Sequence, residues 1–132
     1  MAPGYRLFGV EEANRLVPWL TRTFEALAPL AAELDAVRDQ LASGDADRTT
    51  LERRARVLAA IQALVDPLVE AGLEVKGLEG LVDFRAQREG RVVYLCWKFP
   101  ETRVGHWHEL EAGFQGRRPI RPGDGFASTY LS

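Results

Sequence analysis

The sequence has a single cysteine, Cys96, in 132 residues. A lone thiol cannot close an intrachain disulfide, so the fold must rest on its core alone, and the chain suits a reducing compartment. Apolar runs are short, and none approaches the roughly 18 residues a membrane span needs. The opening residues Met1 to Arg6 carry no apolar signal-peptide core. The expectation is a cytoplasmic protein with no membrane partner. An excess of charge of one sign is missing as well. The net charge is −2, with 8 arginines against 11 acids over residues 1–72 and 9 cations against 8 acids over residues 73–132. Nucleic-acid binding calls for a clustered basic surface, which neither half provides, so no nucleic-acid partner is expected. Lysine is scarce: only Lys76 and Lys98 stand beside 15 arginines. With Ala, Leu and Gly also abundant, this reads as the bias of a GC-rich genome.

What is present is ordinary globular material, 46% hydrophobic and 27% charged. A chain of this length is most simply one domain of residues 1–132. Leu16, Leu20, Leu27, Leu30, Leu34, Val37 and Leu41 recur at threes and fours. That spacing predicts a helix over residues 10–41 with a broad apolar stripe, kinked or broken at Pro18 and Pro29. Residues 43–47 form a polar loop. A second helix is expected to start at Thr49, with Glu52 completing a capping box, and to stop at Gly72. Residues 10–72 are thus a helical hairpin. Two helices of this length cannot cover both of their own stripes. A homodimer through the hairpin is therefore expected.

Past Gly72 the period changes to alternation, and residues 73–120 read as a β-rich half. Strands are expected at residues 81–86, 91–98 and 103–109, joined by turns at 87–90 and 99–102. Residues 121–132 read as an irregular tail. The fold class is α+β: a long N-terminal antiparallel helical hairpin packed on a small antiparallel sheet of about three strands.

The β-rich half holds both histidines, the cysteine and both lysines. A turn at 99–102 sets Lys98 opposite Arg103 and Leu95 opposite His106. Side chains alternate by face. On that register His106 and His108 share a face with Val93, Leu95 and Trp97. The other face carries Asp83, Arg85, Tyr94, Cys96, Lys98, Arg103 and Trp107. Arginine offers a planar fork for carboxylate or phosphate, and lysine a point charge. With Arg117 and Arg118, which follow the glycines of Gly113-Phe114-Gln115-Gly116, this face is the expected site for a small anionic ligand. An alternative is a divalent metal held by His106 and His108 at i and i+2 with Glu109, in a metal-dependent enzyme. Another is a scaffold acting through the hairpin. Cys96 with a histidine could make a nucleophile pair, but the register sets them on opposite faces. No cofactor is otherwise expected.

Several blocks together carry a resemblance: Glu11-Glu12-Ala13-Asn14, Leu16-Val17-Pro18, Gly80-Leu81-Val82-Asp83-Phe84 and Leu95-Cys96-Trp97-Lys98. Trp107-His108-Glu109 and Gly113 to Ile120 continue it. The chain resembles the bacterial family catalogued as domain of unknown function 2203. Phe99-Pro100 and Arg118 depart from that pattern. The resemblance implies an intracellular protein and supplies no activity, substrate or catalytic residue.

Overall fold

The helical period of the first half is realised as three helices. They are α1 (Val10–Arg15), α2 (Val17–Ala42) and α3 (Arg48–Glu70). The structure is a computed structural model that describes residues 6–44 and 46–127. The break between α1 and α2 falls at Leu16, just ahead of Pro18. Proline has no N–H to continue the ladder, yet its fixed φ suits a first helical turn, so the chain restarts there. Pro29 stays inside α2. Pro29 and Glu25, one turn earlier, are both exposed, so the carbonyl that loses its helical partner belongs to a surface residue.

The cap of α3 differs from the expected Thr49 box. Asp47 is the N-cap, and its carboxylate accepts from the Thr50 backbone N–H at 2.8 Å. The helix therefore starts at Arg48. Its other end is as expected. Gly72 has φ 97°, its N–H donates to Val69, and Leu73 N–H donates to Leu68. This is a Schellman closure, and Leu68 and Leu73 are both buried beside it.

The second half is a five-stranded antiparallel meander, not the three strands expected. In order across the sheet these are β1 (Glu74–Gly77), β2 (Leu81–Arg88), β3 (Arg91–Lys98), β4 (His106–His108) and β5 (Arg118–Pro119). β1 is carried by the alternation Leu73-Glu74-Val75-Lys76, which is short enough to pass for the end of a helix. The β2–β3 hairpin turns on Glu89 and Gly90 alone, both at positive φ. That geometry matches the twist of the flanking strands and suits glycine. The segment after β5 is tied down. Phe126 bridges Arg88, and Ala127 N–H donates to Gln87.

One face of the sheet meets the helices. Val82, Phe84, Ala86, Val93, Leu95, Trp97 and Trp107 pack there with Phe8, Ala13, Val17, Leu20, Phe24 and Leu27. Phe24 lies 5.8 Å from Trp97 between ring centroids, and Phe8 packs edge-on to Phe84 at 5.3 Å. Leu27 and Leu34 are buried within the same chain, so neither is available to a second subunit.

The register between β3 and β4 departs from expectation by one residue. Tyr94 pairs with His108, Leu95 with Trp107, and Cys96 with His106. The cause is the connection ahead of β4. Lys98 N–H donates to the Glu101 carboxylate, Glu101 N–H to the Lys98 carbonyl, and the Trp97 indole to the Glu101 carbonyl. Val104 N–H is taken by the Asn14 side chain at 2.8 Å. Phe99 N–H donates to the Gly80 carbonyl, so backbone groups of residues 98–104 are engaged with the β1–β2 turn, the end of β3 and α1, and pairing with β3 resumes only at His106. A shift of one residue exchanges faces for every side chain on β4.

Candidate functional site

The shift moves both histidines onto the face that carries Cys96 and moves Trp107 off it. Trp107 lies 2% exposed on the core side, under Phe126 and against the guanidinium groups of Arg88 and Arg118 at 4.5 and 5.1 Å from its ring. Neither Trp107 nor Arg118 therefore belongs to the polar face on which they were expected. Two cross-strand rows build that face. One is Glu74, Asp83, Cys96 and His106; the next is Arg85, Tyr94 and His108.

Three members of these rows converge on one point. Asp83 is 4% exposed, Cys96 0% and His108 2%. One donor atom from each lies within 4.8 Å of the other two. His108 holds the arrangement. Its Nδ1 is 2.7 Å from the Glu109 carbonyl and its Nε2 is 3.1 Å from Asp83 Oδ1. A carbonyl only accepts, so Nδ1 carries a proton and donates it. Burial pushes the Asp83 carboxyl up, against the pull of His108. Burial also pushes the Cys96 thiol up to about 11, against the help of Arg117. A buried thiol in that state is protonated at neutral pH and inert as a nucleophile. The Cys–His pair that the face now brings together is thus not an activated nucleophile.

The cations around this centre are mostly engaged. Arg85 pairs with Glu74 at 2.9 Å and lies over the Tyr94 ring. Tyr94 hydroxyl donates to Glu74 at 2.8 Å, and Lys76 reaches the same carboxylate at 3.1 Å. Burial pushes Glu74 up, but Tyr94, Lys76 and Arg85 together hold it below the usual glutamate range. Burial and Glu74 raise Tyr94 to about 12. Arg117 clasps Glu101 with both nitrogens and reaches Cys96 Sγ at 3.8 Å. Burial pushes Glu101 up, but Arg117 and the Lys98 N–H bring it below its ordinary value.

Beside this centre lies a groove of about 480 Å³, lined by Glu101, Thr102, Arg103, Gly105, His106, Pro119 and Ile120. Arg103 is exposed and has no carboxylate partner among the described residues. His106 is half-buried, and its Nδ1 is buried without a hydrogen-bond partner among them. The third member of the expected metal set points elsewhere. The Glu109 carboxylate forms a two-pronged pair with Arg91 on the surface.

Of the residues expected to form the site, Asp83, Cys96, Lys98 and Arg85 share the face, joined by His106 and His108. Glu74 and Glu101 complete its charge balance. Glu74 is placed by β1, and the alternation over residues 73–76 is the signal that marks it. Asn14, which closes the groove's loop from α1, has no local signature at all.

No helix among the described residues is long and apolar enough to cross a membrane. No curated protein and no solved structure matches the chain. A family model does match, over residues 6–120, and the chain belongs to that family, the uncharacterized conserved proteins designated DUF2203.

Proposed function

We propose that the protein binds a small anion, a carboxylate or a phosphate, in the groove between the β3–β4 loop and β5. The half-buried ring of His106, which lines that groove and whose Nδ1 has no hydrogen-bond partner among the described residues, carries the reading. A buried ring nitrogen without a partner loses roughly 1–3 kcal/mol of solvation that a ligand restores. Arg103 supplies a planar cationic fork at the rim, and Thr102 a hydroxyl. The groove lies within the range of about 300–1,000 Å³ typical of small-ligand sites. Arg117, committed to Glu101, holds the wall in place rather than meeting the ligand, and Arg85 is committed to Glu74, which does not line the groove.

A thermal-shift series with phosphate, sulfate and small mono- and dicarboxylates tests this. A binding anion raises the melting temperature in proportion to the logarithm of its concentration above Kd. Arg103→Ala and His106→Ala abolish the rise. No anion raising the melting temperature, or a rise that survives both substitutions, overturns the reading.

The same reading takes the working form to be a cytoplasmic homodimer. Leu51 and Leu58 support it, lying seven residues apart on α3 and 45% and 38% exposed. Two turns of helix place them on one face, which suits a self-complementary two-fold contact. Light scattering at low micromolar concentration is expected to give twice the chain mass, and Leu51→Glu with Leu58→Glu to halve it. A wild-type monomer removes the dimer.

A further inference from the structure

The buried convergence of Asp83, Cys96 and His108 plays no direct part in the groove. We propose that these three side chains form a binding site for a divalent transition metal of the zinc class. The donor set is one nitrogen, one sulfur and one carboxylate oxygen, the combination that borderline-soft ions such as zinc accept.

The orientation of His108 carries the argument. Its Nδ1 proton is committed to the Glu109 carbonyl at 2.7 Å. In the neutral ring, Nε2 therefore presents a lone pair, and it presents it to a carboxylate oxygen 3.1 Å away. Two lone pairs at that distance repel unless a cation lies between or beside them. A proton is one such cation and a metal ion is the other. A shared proton needs only His108 and Asp83, whereas a metal ion uses a third donor as well: Cys96, whose thiol hydrogen-bonds to Asp83 when no ion is bound, brings its sulfur within 4.8 Å of both partners, in the same cross-strand row as Asp83. An imidazole whose far nitrogen is fixed by a backbone carbonyl is also the usual second layer of a metal-ligating histidine, since it fixes the tautomer and aims the ring.

The surroundings suit the charge of such an ion. Arg117 Nη1 lies 3.8 Å from Cys96 Sγ and steadies a thiolate. The Tyr94 ring packs on the His108 ring at 5.4 Å and limits its rotation. All three donors are buried, so the ion is shielded from bulk water. Three protein donors are one short of the four of a closed zinc site, which leaves a coordination position for a water or small ligand. Arg117 connects the thiolate side of this centre to Glu101, a wall of the groove. This metal set differs from His106, His108 and Glu109. It shares only His108 with them, and it stands whether or not the groove binds an anion.

The test is made on the full chain, stripped with a chelator and dialysed, then titrated with cobalt(II). One cobalt per chain is expected, with a thiolate-to-metal charge-transfer band in the near ultraviolet that zinc(II) displaces. Cys96→Ser removes the band. Asp83→Asn and His108→Gln each weaken cobalt binding by more than about tenfold, since even outer partners of a metal site are worth about that much. The wild-type spectrum needs no variant to fold. Cobalt bound without the thiolate band places the ion elsewhere, at the surface carboxylates or at His106, and overturns the site. So does no binding at high micromolar metal.

Discussion

Asn14→Ala isolates the contact that sets the geometry of the groove. The Asn14 carboxamide accepts from Val104 N–H at 2.8 Å and donates to the Val10 and Val104 carbonyls at 2.9 and 3.4 Å. Val104 is 2% exposed, so its N–H has no water to turn to when the acceptor is removed. A buried donor left unsatisfied costs about 1–3 kcal/mol, and the loop can relieve part of that only by opening. A value near 2 kcal/mol is expected. Unfolding entropy is about 2.1 cal/mol/K per residue, so over this chain 2 kcal/mol lowers the melting temperature by about 7 °C. The loss is local in origin. Amide exchange at Val104 and through the 99–105 loop should accelerate well beyond that of β2 and β3. Anion affinity should fall with it, because Arg103 lies within this loop and His106 follows it directly. Differential scanning calorimetry with exchange mass spectrometry measures both. A variant that melts within about 1 °C of wild type, with the Val104 amide still protected, refutes the claim that Asn14 closes the loop.

Cys96 should resist alkylation by iodoacetamide in native buffer and react only on unfolding, since it is fully buried and burial holds its thiol near 11; rapid native labelling would contradict that placement. Glu101 supplies a pH test. Its folded pKa lies below the ordinary 4.5 despite burial, through Arg117 and the Lys98 N–H. A depressed carboxylate stabilises the fold above its unfolded pKa and loses that contribution as pH falls through the folded one. The stability gap between wild type and Glu101→Gln, followed by urea melts, should therefore be full at neutral pH and close below pH 4.5; a gap independent of pH would refute the ion pair's role.

The architecture was legible wherever a period ran long enough to be its own evidence. Seven apolar residues at threes and fours over residues 10–41 marked the first helical segment. Gly72 marked the end of α3, because only glycine takes φ 97° without strain. The strand at residues 91–98 follows from alternation, and Gly90 marked the hairpin, but the expected turn at residues 87–90 is only two residues long, because Gln87 and Arg88 still pair with Val92 and Arg91. β1 and β5 escaped because four and two residues are too few to show a period. Their pairing is decided by the neighbouring strand rather than by their own side chains.

The candidate site failed at a single point, and the reason is a matter of parity. Whether Cys96 sees His108 or turns its back on it depends on whether the connection after Lys98 is odd or even in ladder terms. That is fixed by Asn14, 90 residues away along the chain, which takes the Val104 N–H that a tight hairpin would have used. Local sequence sets which residues alternate; a distant side chain sets where the alternation begins. The four-residue turn read from Phe99-Pro100-Glu101-Thr102 was chemically sound, and Glu101 does cap β3 there. It was the first part of a longer connection. The consequence runs straight to chemistry. On the expected register His106 and His108 lie among Val93, Leu95 and Trp97, turned away from Asp83 and Cys96. On the observed one His108 meets Asp83 and Cys96, and His106 is left to face the groove. A side chain on α1 thereby decides which histidine meets Asp83 and Cys96 and which faces the groove, so Asn14 belongs to the site although it touches neither histidine.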